Sequence, residues 1–279
     1  MKKFLAAAIM LASMNVFSQS YIVLSNGVTL TTDKAGFVYD FNHFRLPYKV
    51  SVSGGQFLVE DEKLSTVDAN GFLYEKDFKV DDEVKGKGLN YFIMDNNNLV
   101  TIDSNGFYYE YDEDARSIFK KATTFGGNFF VATINKRKGQ YELYTINEKG
   151  NYFKVDVEGL NPENISYAGG KYFQTQDGVT YTVSKDGFVF AKPEIQVGSV
   201  VKAGGNFLID STNKIFTISD DGLLILPVLP LNIKVETITK VGSNYMIDSE
   251  GRLFTVDSLG NIAERTVEHD LTKAKILSL

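Results

Sequence analysis

The chain has no cysteine, no tryptophan, two histidines and five prolines in 279 residues. Without cysteine there is no disulfide framework, no thiolate metal site, no cysteine nucleophile and no acceptor for a lipid anchor. Past the N-terminal leader, no apolar run reaches the ~20 residues that a membrane-spanning helix needs. Positive charge is also short: 29 Lys and Arg stand against 35 Asp and Glu, a formal net charge of −6 with a pI near 5.1. That balance disfavours nucleic acid as a partner, because phosphate binding rests on dense Lys/Arg patches.

What is present begins with a leader. Lys2 and Lys3 precede an apolar run from Phe4 to Ala12 and a small-residue exit, the layout of a secretory signal peptide. Val16 and Ser18 fill the small-residue positions of a cleavage site after Ser18. The reading is a signal peptide over 1–18 and one domain over 19–279, exported to a periplasmic or secreted location.

That domain is dominated by a repeat. LSTVDANGFLYEKD, LVTIDSNGFYYEYD and LYTINEKGNYFKVD begin at Leu64, Leu99 and Leu143, and TLTTDKAGFVY, TYTVSKDGFVF, IFTISDDGLLI and LFTVDSLGNIA repeat the phrase. Seven turn glycines, Gly36, Gly71, Gly106, Gly150, Gly187, Gly222 and Gly260, are spaced 35 to 44 residues apart. Five residues before each stands a threonine: Thr31, Thr66, Thr101, Thr145, Thr182, Thr217 and Thr255. Three residues before each is a short polar side chain able to form an Asx- or Ser-type turn, as at Asp33, Asp68, Asn147 and Ser184. Each copy is therefore strand, tight turn, strand.

Upstream lies a glycine turn followed by an aromatic-rich strand, as in SGGQFLVED and AGGNFLIDS, and before that a short run such as KVSV or TITK. The unit is four short strands, A to D, in roughly 37 residues, the make-up of a propeller blade. The middle strands, YFIM or LVTI, are continuously apolar, so both of their faces must be covered. Blades stacked face to face achieve this, whereas a β-sandwich gives no reason for a sevenfold recurrence. The fold read from the sequence is all-β, a seven-bladed β-propeller with four antiparallel strands per blade. Tyr21 stands 15 residues before its turn glycine, so blade 1 lacks strand A. The segment TKAKILSL from Thr272 supplies it, closing the ring by pairing beside Tyr21 to Leu24. Removing Lys273 to Leu279 is then expected to cause aggregation or protease sensitivity.

The hairpin phrase, preceded by its glycine–aromatic strand, resembles the PQQ-like repeat family within the broader PQQ-like/WD40-like propeller superfamily, over essentially all of residues 21 to 279. The resemblance implies either a quinone-cofactor dehydrogenase or a scaffold similar to the outer-membrane assembly propeller lipoprotein. This chain has no tryptophan after the turn glycine, no adjacent cysteine pair and no lipid-bearing cysteine; no cofactor or metal is assigned to it.

Function is expected on the face carrying the B–C and D–A connections, because these vary from blade to blade while the A–B and C–D turns are uniform. Blade 4 carries an extended hairpin tip with Lys136, Arg137 and Lys138, either a solvated tip or a docking contact. The connection after blade 6 reads LLILPVLPLNI, in which Pro227, Val228, Leu229 and Leu231 form either an exposed partner patch or a flap over the blade edge. His43 and His269, in the connections of blades 1 and 7, have Asp40 and Asp270 nearby in the sequence; they form either a two-histidine site or two separate surface side chains. The threonines either line a channel or, as structure, cap their own hairpins or bond to the neighbouring strand. Two functions follow: a non-enzymatic binding or scaffold propeller recognising a protein or glycan of the cell envelope, as a monomer or part of a hetero-complex, or a hydrolase or lyase with paired carboxylates at the central mouth.

Overall fold

A computed structural model describes residues 20–24, 26–45, 50–111 and 116–274. Seven antiparallel sheets follow one another along the chain, six with four strands and the first with three, and they are the blades of a propeller. Blade 2 is representative: Val50–Ser53 (A), Phe57–Glu60 (B), Lys63–Val67 (C) and Leu73–Lys79 (D). Strands B and C are buried along their length in blade 3, Tyr91–Met94 and Leu99–Ile102, while its strand D, Tyr108–Tyr111, is half exposed. The apolar runs are thus the sandwiched layers. The cores lie between neighbours: Phe57, Val59 and Leu64 of blade 2 pack on Phe92, Met94, Val100 and Ile102 of blade 3.

The hairpin phrase works as its composition requires. Asp68 Oδ1 accepts hydrogen bonds from the backbone N–H groups of Asn70 and Phe72, both at 2.9 Å, and Gly71 takes φ +83° to end the turn. Such a φ strains any residue with a Cβ, and here a Cβ would also stand 2.8 Å from the Tyr39 ring of blade 1. The threonine reaches across the blade interface. Thr31 Oγ1 donates to the Gly71 carbonyl at 2.6 Å, Thr66 to Gly106, Thr101 to Gly150, Thr182 to Gly222 and Thr217 to Gly260. Thr255 of blade 7 donates to Gly36 of blade 1 at 2.9 Å. Thr145 Oγ1 alone among the seven has no hydrogen-bond partner.

The backbone repeats this handover without a gap. The residue two before each turn glycine donates its N–H to the carbonyl of its counterpart in the next blade: Lys34 to Ala69, then Ser104, Glu148, Lys185, Asp220, Ser258 and back to Lys34, at 2.7–3.2 Å. Seven steps at about 4.8 Å, the spacing of bonded strands, make a circle of roughly 5 Å radius around the axis. A second series joins the A–B turns closer to the core, including Gln56 to Leu89, Lys171 to Gly205 and Gly205 to Ser243. The turns crowd so tightly that a Cβ on Gly170 would stand 2.0 Å from the Gly205 carbonyl oxygen. The repeated glycine pair answers this close approach.

Blades 7 and 1 meet across the seam between the chain ends. Ile22, Leu24, Val28 and Leu30 share a core with Tyr245, Ile247 and Leu253, and Leu271 and Ala274 pack into it. Short helical turns, not anticipated from the sequence, deliver the chain into strand A: Pro162–Asn164 precedes Ile165–Ala168, and Val235–Thr237 precedes Ile238–Val241. Leu271–Lys273 is a turn of the same kind at the seam, and Lys240 Nζ donates to the carbonyls of Leu271, Thr272 and Ala274. The closing strand expected for blade 1 was to begin at Thr272; Thr272 and Lys273 belong to this turn instead, and the rest of that segment, 275–279, lies outside the described residues, as does the leader over 1–18.

Candidate functional site

Strand A is innermost, and in all six described copies its pairing with strand B slips by one residue, as between Val50 and Val52. The residues at the slip, Ser51, Lys85, Thr123, Ser166, Val201 and Thr239, are all exposed. Ser51 and Ser166 donate back to strand B carbonyls, Val59 at 3.1 Å and Gln174 at 3.2 Å. Further along, strand A and the glycine turns of blades 3 to 7 enclose an axial cavity of about 480 Å³. At the turn end Leu89 of blade 3 crosses the axis, its methyl groups 2.9–3.0 Å from where a Cβ on Gly205 of blade 6 would lie. The cavity is therefore stopped at the turns.

The wall of this cavity includes Lys87, Phe125, Tyr167, Ala203, Thr239 and Lys240 besides glycine backbone. Lys87 Nζ donates to the Ser53 carbonyl at 2.8 Å, and burial pushes its ammonium below the ordinary lysine value. No carboxylate is among the described lining residues. The carboxyl groups held above their ordinary range near the axis belong to the turn ring instead. Burial raises Glu148, and burial raises Asp220 against the opposing pull of Lys171. Lys171 is fully buried and donates to Asp220 Oδ1 at 2.5 Å. Other blades carry Gln56, Asn90, Asn128, Asn206 and Asn244 at the position of Lys171, and Asn128 and Asn244 reach turn carbonyls of the next blade, Ser184 and Asp33. Lys171–Asp220 is therefore blade 5's charged version of a link between blades.

The candidates read from the sequence are placed as follows. Lys136, Arg137 and Lys138 form a 3-10 turn at the B–C hairpin tip of blade 4, capped by Asn135 and exposed. In the connection after blade 6, Val228 is 93% and Leu231 108% exposed, Pro227 is half-buried, and Leu229 and Ile233 turn inward onto the core shared by blades 6 and 7. The two readings of this segment are thus divided between alternate side chains. His269 Nε2 lies 2.6 Å from Asp40 Oδ2, joining the last connection to the outer strand of blade 1. His43 lies in that strand, its side chain outside the described residues. Six of the seven repeat threonines bond between blades, and none of the seven is among the described cavity-lining residues. Among the described residues no group of three His, Cys, Asp or Glu is placed to hold a metal, and no helix is long and apolar enough to cross a membrane.

The sequence reading missed the cavity and also an aromatic rim. Phe37, Phe72, Phe107 and Phe188, each directly after a turn glycine, are more than half exposed on the turn face. The repeated Gly-Phe dipeptide was their signal.

No protein-family model matches the chain, and no curated protein matches it. Among solved structures the chain is similar to a streptogramin B lyase, at 15% identity over 91% of this chain and 95% of that one, with a TM-score of 0.34. It is similar to the extracellular domain of a putative one-component system from B. thetaiotaomicron, at 11% identity over 92% of this chain and 39% of that one, TM-score 0.28. A third is YCF48 bound to a D1 peptide, at 8% identity over 93% of this chain and 86% of that one, TM-score 0.25.

Proposed function

We propose that the protein is an exported, non-enzymatic binding or scaffold propeller that captures a protein or glycan of the cell envelope through its B–C/D–A face. One observation carries the reading. Val228 and Leu231 stand almost wholly in solvent on a segment whose alternate residues, Leu229 and Ile233, are anchored in the core. Pro227 and Pro230 stiffen that segment, so it presents apolar side chains in a fixed geometry and loses little entropy on binding. The basic tip of blade 4 lies on the same face and adds long-range attraction for an acidic partner. The alternative read from the sequence, a carboxylate-based hydrolase or lyase at the central mouth, needs a carboxylate pair facing the substrate, and among described lining residues the axial cavity offers lysines.

The test is capture from envelope extract by the mature protein and by two variants. Val228→Ser with Leu231→Ser is expected to lose the captured partner with an unchanged melting temperature. Leu229→Ser is expected to cost about 2–3 kcal/mol of stability through the vacated core contact. Equal capture by the wild type and the Val228/Leu231 variant rejects the patch as the binding surface.

A further inference from the structure

The axial cavity carries an inference independent of the outer face. We propose that it is a binding site for a small monocarboxylate with an apolar body, aromatic or branched. Its volume of about 480 Å³ falls within the range of ligand pockets, about 300–1,000 Å³. The wall is largely apolar or glycine backbone, and its described charged groups are both cationic, Lys87 and Lys240. That sign opposes the chain as a whole, which carries a net −6.

Departure from the repeat supports the assignment. A residue shared by every blade serves a need common to every blade; a residue found in one serves something particular. At the last position of strand A, where blade 3 has Lys87, the other described blades carry Ser53, Phe125, Ala168, Ala203 and Val241. Small or apolar side chains therefore satisfy the scaffold, and a lysine there costs desolvation, which the depressed Lys87 ammonium registers. The aromatic residues are also local: Phe125 lies over Gly86, where a Cβ would approach its ring to 2.2 Å, and Tyr167 is stacked on Tyr172 with ring centroids 5.8 Å apart. Together they offer flat apolar surface beside the cation. Two lysines already engaged with backbone carbonyls suit one negative charge better than several.

Calorimetric titration of the mature protein with 3-phenylpropionate and 4-methylpentanoate tests this, with the matching amides and amines as controls. Saturable one-to-one binding of a carboxylate is expected, with the amide at least about tenfold weaker, equivalent to ~1.4 kcal/mol. Lys87→Met is expected to weaken the carboxylate by a similar factor and leave the amide unchanged. Ala203→Phe, which fills the cavity from a different blade, is expected to abolish binding while the melting transition stays cooperative. Equal affinity for acid and amide, binding that survives Ala203→Phe, or no binding of either carboxylate at about 10 mM, where even a very weak site would fill, overturns the proposal. Because no variant touches Val228, Leu231 or the blade 4 tip, failure here is separable from failure of partner capture.

Discussion

Asn244 shows how one side chain joins two blades, and why the other joints are less complete. Its amide nitrogen reaches the Asp33 carbonyl, and its oxygen accepts a hydrogen bond from Thr32 Oγ1 at 2.6 Å. At the matching place in the other blades the threonine is replaced by valine or isoleucine, such as Val183 beside Asn128 and Val256 beside Asn206. The amide oxygens of Asn128 and Asn206 are buried there with no donor. Val183→Thr is nearly isosteric and supplies that donor, so a gain of about 1 kcal/mol is expected. Thermal denaturation measures it, and a loss of stability would show that the oxygen already has a partner. The repeated threonines give a paired contrast. Thr66→Val is expected to cost about 1 kcal/mol by removing its bond to Gly106, whereas Thr145→Val, whose hydroxyl has no acceptor, is expected to cost far less. Similar losses at both sites would deny the bond its role.

At the scale of the strand and hairpin, the blade 2 B–C turn carries a titratable strain. Asp61 and Glu62 occupy left-handed backbone positions, φ 44° and 67°, which leaves Glu60 at the end of strand B beside them. Burial first, then the charges of Asp61 and Glu75, push the Glu60 carboxyl up to about 7 from an ordinary 4.5. Because the folded value lies above the unfolded one, folding favours the protonated form. The group's contribution is complete below about pH 4.5 and is lost as pH rises through about 7. Glu60→Gln is therefore expected to raise stability at pH 8 by about 1 kcal/mol after allowance for solvent screening, with little change at pH 4. Urea denaturation at the two values checks this, and an equal effect at both would reject it. The connections between blades were the elements least legible beforehand. Their helical turns depend on plugs such as Phe119, Val235 and Leu271, which are buried only when the next blade is in place. Lys85 and Lys240 then fasten those turns by their carbonyls, a role that sequence spacing does not reveal.

For the whole molecule, the number of blades, their strand order and the identity of the turn residues were legible because each repeats with fixed spacing, and repetition averages out local ambiguity. The apolar connection after blade 6 was legible as a departure from that repetition, though not which of its side chains face outward; that is decided by core packing at Leu229 and Ile233. The axial cavity was not legible. It is assembled from strand A of five blades, and Lys87 looks like an ordinary surface lysine until those strands are arranged around one axis. The ring itself rests on the seam between blades 7 and 1, where Thr255, Ser258 and Asn244 repeat toward Gly36, Lys34 and Asp33 the contacts made within the chain. Native-state amide hydrogen exchange reads this seam directly. The N–H of Ser258, bonded to the Lys34 carbonyl across the seam, is expected to exchange as slowly as those of Ala69 and Ser104 at internal interfaces, with opening free energies near the global value. Rapid exchange at Ser258 with continued protection at Ala69 and Ser104 would contradict a closed seven-bladed ring.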